Sequence, residues 1–143
     1  MKQSKSNVEI FNRICIYLLS ELYDSFPVPI AIDPDRIGLK AIPEELDFDG
    51  AWSVMDIANE TFIFLHQEGF VTEDTPVSTG EHSNVRLTMK GLAILGVPVS
   101  LGKKEEEKAI IDRIKKIIEK GAENSATQSV QAVVSAVFKM ALG

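Results

Sequence analysis

Helix-start signatures recur along the chain at short intervals, and they restrict it to a succession of short and medium helices. They are Ser6-Asn7-Val8-Glu9, Asp33-Pro34, Ser53-Val54-Met55-Asp56, Thr88, and Ser125-Ala126-Thr127-Gln128. In each, a short side-chain oxygen can accept from an unpaired amide of the first turn, and in two of them a Glu or Gln three residues on can reach back to the cap. The apolar spacing after each start agrees. Phe11, Ile14, Cys15, Leu18 and Leu22 predict a helix over about 7–23, and Pro27 and Pro29 end it. Val28 to Ile32 reads as an edge strand, because the two prolines could not sit in a central one. Asp33-Pro34 opens a short helix to about Leu39.

Residues 42–50 are acidic and loop-like, and the Ser53 signature opens a helix with Val54, Ile57, Ala58, Thr61, Phe62 and Leu65 on one face. Gly69 is its stop. Two strands, about 70–72 and 84–87, follow, joined by a long connection containing Pro76 and Gly80, and Thr88 caps a further helix that Gly96 and Pro98 end. Residues 103–120 form a charged helix with an isoleucine stripe, and the Ser125 signature starts a last helix with a valine stripe. The expected fold is mainly α with a small β-hairpin: one domain over 6–97 and a C-terminal helical pair over 103–142.

"FLHQEGFV" (64–71) and "VRLTMKGLAIL" (85–95) carry a family resemblance. The order helix, short strand, short helix, longer helix, hairpin, together with Leu65, Glu68, Gly69, Phe70, Val71, Leu87, Thr88 and Gly91, resembles the winged-helix superfamily. The pattern is shared by the multidrug-regulator type and by small prophage-type proteins. It covers about 8–95. It implies a winged-helix-like core and the role of a regulatory or prophage-derived adaptor, but its motifs are structural and speak to fold more than to function.

Charge separates the possible functions. The chain has 143 residues and a formal net charge of −6, with 45% hydrophobic and 25% charged residues, an ordinary globular composition. Between Ala41 and Val85 it carries no lysine or arginine, while Glu44, Glu45, Asp47, Asp49, Asp56, Glu60, Glu68, Glu73, Asp74 and Glu81 all fall there. A third helix and wing of that composition would repel the phosphates that such elements ordinarily contact. The expectation is therefore a non-catalytic protein-interaction module whose acidic surface, Glu44, Glu45, Asp47, Asp49, Asp56 and Glu60, meets a protein partner. The alternative is a transcriptional regulator that binds DNA through another surface, the basic cluster Arg113, Lys115, Lys116 and Lys120.

Signals of catalysis are weak. No glycine-rich phosphate loop is present, and His66 and His82 are expected as polar surface residues, so neither a metal nor a cofactor is expected. The lone Cys15 lies in an apolar stretch, which fits a buried thiol and a reducing, cytoplasmic location. No leader or spanning segment is expected, and no membrane partner. The two tail stripes are expected to drive homodimerisation through Ile110, Ile114 and Ile117 and through Val130, Val134, Val137 and Phe138, with Trp52 or Phe26 as part of the contact. The reasoning is that ninety preceding residues could close their own core and that two apolar seams cannot remain in water.

Overall fold

Ser6 accepts the Glu9 amide at 3.2 Å on its hydroxyl and starts α1 (Asn7–Ser25). A computed structural model describes residues 5–74, 80–102 and 106–142. Helix α1 is covered on nearly all sides, with Asn12 to Ile16 and Leu18 to Ser20 buried in unbroken runs. A helix covered on nearly all sides belongs at the centre of a fold, and the remaining elements form two groups around it.

The first group is α2 (Pro34–Ala41), α3 (Phe48–Gln67) and a three-stranded antiparallel sheet. Asp33 caps α2 by accepting the Asp35 amide at 3.1 Å. Gly38 lets α2 and α3 approach closely: a Cβ there would stand 2.8 Å from Ala58 Cβ. Val54, Ala58, Thr61, Phe62 and Leu65 are the buried side of α3. The helix ends at Gly69, whose φ of +83° suits a residue without Cβ. Strands β1 (Ile30–Ile32), β2 (Val71–Glu73) and β3 (His82–Leu87) pair in the order β1-β3-β2, with Ile30 opposite Val85 and Val71 opposite Leu87. β1 is an edge strand, as its flanking prolines require.

The residues of the "LTMKG" turn meet the end of α3. Thr88 donates to Gly69 O at 2.6 Å and accepts the Gly91 amide at 3.0 Å, which starts α4 (Met89–Leu95). Gly91 lies against Phe70 O, where a Cβ would come within 2.5 Å.

The second group is the C-terminal part. A two-stranded ladder, β4 (Pro98–Val99) with β5 (Lys108–Ala109), leads into α5 (Ile110–Lys120). A 3-10 turn (Ala122–Asn124) then leads to α6 (Thr127–Leu142). Ile110, Ile111, Ile114, Ile117, Val130, Val133, Val134 and Val137 are all buried, and they belong to the same core cluster as Ile14, Leu18 and Phe62. Lys115 fastens α5 to α1 through Ser20 Oγ and Asp24 Oδ2, both at 2.6 Å.

The mainly helical class with a small β element is as expected, and four details differ. The third helix starts at Phe48, five residues before the Ser53 signature, because Asp47 accepts the Gly50 amide at 2.7 Å and caps it. The tail helix does not begin near 103. Residues 108–109 instead pair with 98–99, and Arg113 holds Val99 O at 3.0 Å and Glu106 O at 2.9 Å. Residues 103–105 lie outside the described residues, as does Pro76 in the β2–β3 connection. Ser125 does not cap the last helix; its hydroxyl donates to Gly121 O at 3.3 Å.

The fourth difference concerns the tail seams. Ile110, Ile114, Ile117, Val130, Val134 and Val137 are covered by the chain's own core, and half-buried Phe138 sits among Phe11, Phe64 and Phe70. Residues of α5 and α6 share one core cluster with those of α1, and Lys115 ties α5 to α1. These seams are not available to a second copy in this fold.

Candidate functional site

The acidic segment is not one surface. Glu44 is bound to Arg13 of α1, whose Nη1 and Nη2 lie 2.8 and 2.9 Å from its carboxylate oxygens, and Lys5 also contacts it. Those hydrogen bonds, led by Arg13, hold the Glu44 carboxyl down to about pH 2. Asp47 is occupied as the cap of α3. Glu45 and Asp49 are exposed around the start of α3. Asp56 and Glu60 stand apart: both are exposed, one helical turn from each other, on the wall of a groove.

That groove runs between the first turn of α1 and the outer side of α3, with a volume of about 530 Å³. Val8 is 61% exposed and Phe64 39% exposed at its lips, while Phe11, Ile57 and Ile63 are half-buried within it. Phe64 meets Phe11 edge-on at 5.7 Å, so the aromatic lip is braced from below by the ring that also stacks on Phe138. Further towards the start of α3, Phe48 (76% exposed) and Trp52 (53% exposed) pack edge to face at 6.1 Å. Trp52 is thus exposed beside Phe48, and Phe26 is half-buried. The outer side of α3 carries exposed aromatic residues at both ends and two carboxylates between them, with no lysine or arginine on the helix.

This groove was not among the expected sites. Its signal in the sequence is a set of apolar residues left over once the core faces are assigned: Val8 inside a capping box, and Ile63 and Phe64 next to inward-facing Phe62 and Leu65.

The two histidines do not meet a common ligand. His66 lies on α3, half-exposed. His82, expected at the surface, is 1% exposed and stacks on Phe62 at 4.0 Å. The reason is a bulge. Ile32 faces His82 while Ile30 faces Val85, so β3 carries an extra residue there, Asn84 takes a φ of +53°, and both His82 and Val85 turn inward. Its Nδ1 lies 2.8 Å from the buried carboxylate of Glu73, and its Nε2 has no partner. Among the described residues no group of three or more His, Cys, Asp or Glu could hold a metal ion. Cys15 is fully enclosed, and burial pushes its thiol well above the usual range, which makes it a poor nucleophile.

The basic cluster of α5 divides in the same way. Lys115 is tied to α1 and Arg113 to backbone carbonyls. Lys116 and Lys120, with Lys108 of β5, line a second cleft of about 590 Å³ between α5 and α6, together with Asp112 and the start of α6. Among the described residues no helix is long and apolar enough to cross a membrane. Comparison with protein-family models, curated proteins and solved structures gives no match.

Proposed function

We propose that the protein is a non-catalytic interaction module on a winged-helix-like core, and that it docks a partner protein at the groove between α1 and α3. The winged-helix reading is supported by the order α1-β1-α2-α3-β2-β3 and by a sheet in which β3 lies between β1 and β2. In a DNA-binding protein of that design, the outer side of the third helix would face the bases and phosphates. Here that side bears Asp49, Asp56 and Glu60 with Phe48, Trp52 and Phe64. The observation that carries the proposal is the groove itself, an apolar, open trough walled by carboxylates on the helix that would otherwise read DNA. Exposed apolar patches framed by polar residues mark protein contacts.

The test is capture from lysate with the full chain, identification of the partner, and reconstitution with that partner purified. Binding weakened by Val8→Ser is the expected result. A duplex shifted at submicromolar protein in about 150 mM salt and lost on Trp52→Ala would overturn the proposal.

A second reading, a regulator that binds DNA elsewhere, is favoured by one feature. Lys108, Lys116 and Lys120 gather at the α5/α6 cleft without ion-pair partners among the described residues. A low-salt duplex shift lost on Lys116→Glu with Lys120→Glu, and unchanged by Val8→Ser, would favour it.

A further inference from the structure

The groove between α1 and α3 combines three features that narrow its occupant. The first is shape. Its α3 wall runs from Asp56 to Gln67, which at about 1.5 Å per residue is a trough of roughly 16 Å, the length of three helical turns. The second is its surface: Val8, Phe11, Ile57, Ile63 and Phe64 supply an apolar lining open to solvent. The third is charge. Asp56 and Glu60 are the only ionisable residues lining it, and among the described residues neither has an ion-pair partner. They are four residues apart on one helix, a spacing at which like charges repel and oppose the helix that carries them.

An uncompensated pair of this kind is relieved by a cation from outside the chain. A second copy seated symmetrically across the groove would set Asp56 and Glu60 against their own counterparts. A nucleic-acid backbone or an anionic lipid surface would meet the same repulsion. An apolar trough three turns long matches the apolar stripe of an amphipathic helix, read at positions i, i+3/i+4 and i+7.

We infer that the α1/α3 groove binds a short basic amphipathic helix of a partner protein. The apolar stripe of that helix lies on Val8, Phe11, Ile57 and Phe64, and its flanking lysine or arginine side chains reach Asp56 and Glu60. This rests on the docking reading of the groove given above. It also predicts a separation of folding from binding. Replacing the two carboxylates by amides removes their repulsion, so Asp56→Asn with Glu60→Gln keeps or raises the melting temperature while weakening the complex.

The experiment selects random 16-residue peptides displayed on phage against the immobilised full chain. Fluorescein-labelled copies of the enriched peptides are then titrated by anisotropy. The expected peptides carry net positive charge and apolar residues at helical spacing. Their affinity falls at least tenfold on Asp56→Asn/Glu60→Gln and at least threefold on Val8→Ser, with both variants melting no lower than the wild type. Peptides that lose affinity on Val8→Ser but carry no net positive charge would overturn the basic helix and leave the groove as a docking site. Peptides indifferent to Val8→Ser, or no enrichment, would overturn both readings. A concentration-dependent dimer in sedimentation, abolished by Val8→Ser, would assign the groove to a second copy and sink the proposal.

Discussion

Arg13 and Glu44 lie 31 residues apart in the chain and form a two-pronged ion pair, Nη1 to Oε2 at 2.8 Å and Nη2 to Oε1 at 2.9 Å. The arginine is on the central helix and is buried, and the glutamate is on the connection between α2 and α3. The pair therefore clamps the entrance of α3 to α1, and α3 is one wall of the groove. A guanidinium forked onto a carboxylate fixes orientation as well as distance.

Acid should loosen this clamp. The folded-state pKa of Glu44 is about 2 against an ordinary 4.5, so its contribution is complete above about pH 4.5 and is lost as pH falls towards 2. Urea unfolding at pH 6, 4 and 2.5 should show a steeper loss of stability for the wild type than for Glu44→Gln across that window. Parallel losses would show that Glu44 is not responsible.

A chain ending at Gly102 should fail to unfold cooperatively. Removing α5 and α6 uncovers the side of α1 that Asn12, Ile16 and Ser20 share at helical spacing, where Lys115 and the start of α6 lie, and takes Ile114 and Val134 out of the common core. Within the full chain, Ile114→Ala should cost about 2–5 kcal/mol, the usual range for truncating an enclosed isoleucine. Circular dichroism melts of both proteins check this. A sharp transition in the truncated chain within a few degrees of the wild type would contradict it.

The tail shows what periodicity can and cannot settle. The isoleucine and valine stripes were correctly legible as buried faces, because spacing reports which side of a helix avoids water. It does not report what covers that side. The covering surface is on α1, where Ile16 and Leu19 are buried outside the expected stripe of Phe11, Ile14, Cys15, Leu18 and Leu22, so that the helix is covered on nearly all sides. The early start of α3 was missed for a local reason: Gly50 looks like loop, yet its amide is what Asp47 binds. His82 was missed because a bulge reverses the alternation of β3, and bulges leave little trace in composition. Of the six expected partner-binding carboxylates, Asp56 and Glu60 line the groove and Glu44 and Asp47 hold the fold together. Charge counting alone cannot distinguish those roles.

Gly38→Ala should destabilise by about 1–3 kcal/mol, the range for forcing a methyl into a packed contact. The new Cβ would stand 2.8 Å from Ala58 Cβ. Adding Ala58→Gly should restore part of the loss despite its own helix-propensity cost. Chemical denaturation of the two single variants and the double gives the coupling. Additive losses would mean that the α2/α3 approach does not depend on this contact.

His82→Leu should be severe, about 3–5 kcal/mol, because it strands the Glu73 carboxylate in the interior. The double variant His82→Phe/Glu73→Leu keeps the ring against Phe62, removes both polar groups, and should recover most of that loss. Melting temperatures of the two proteins decide it. A double variant as unstable as His82→Leu would mean that the pair does more than neutralise itself.

The central place of α1 also sets an order of events during synthesis. The helix that every other layer leans on is made roughly a hundred residues before Ile110 to Val137, which cover its back. At about 5–20 residues per second, that side stays uncovered on the ribosome for roughly 5–20 seconds. The α2–α3–sheet half can assemble against the front of α1 meanwhile, but the molecule becomes watertight only when α5 and α6 arrive. Over that interval the nascent chain leaves uncovered the side of α1 that carries Ile16 and Leu19.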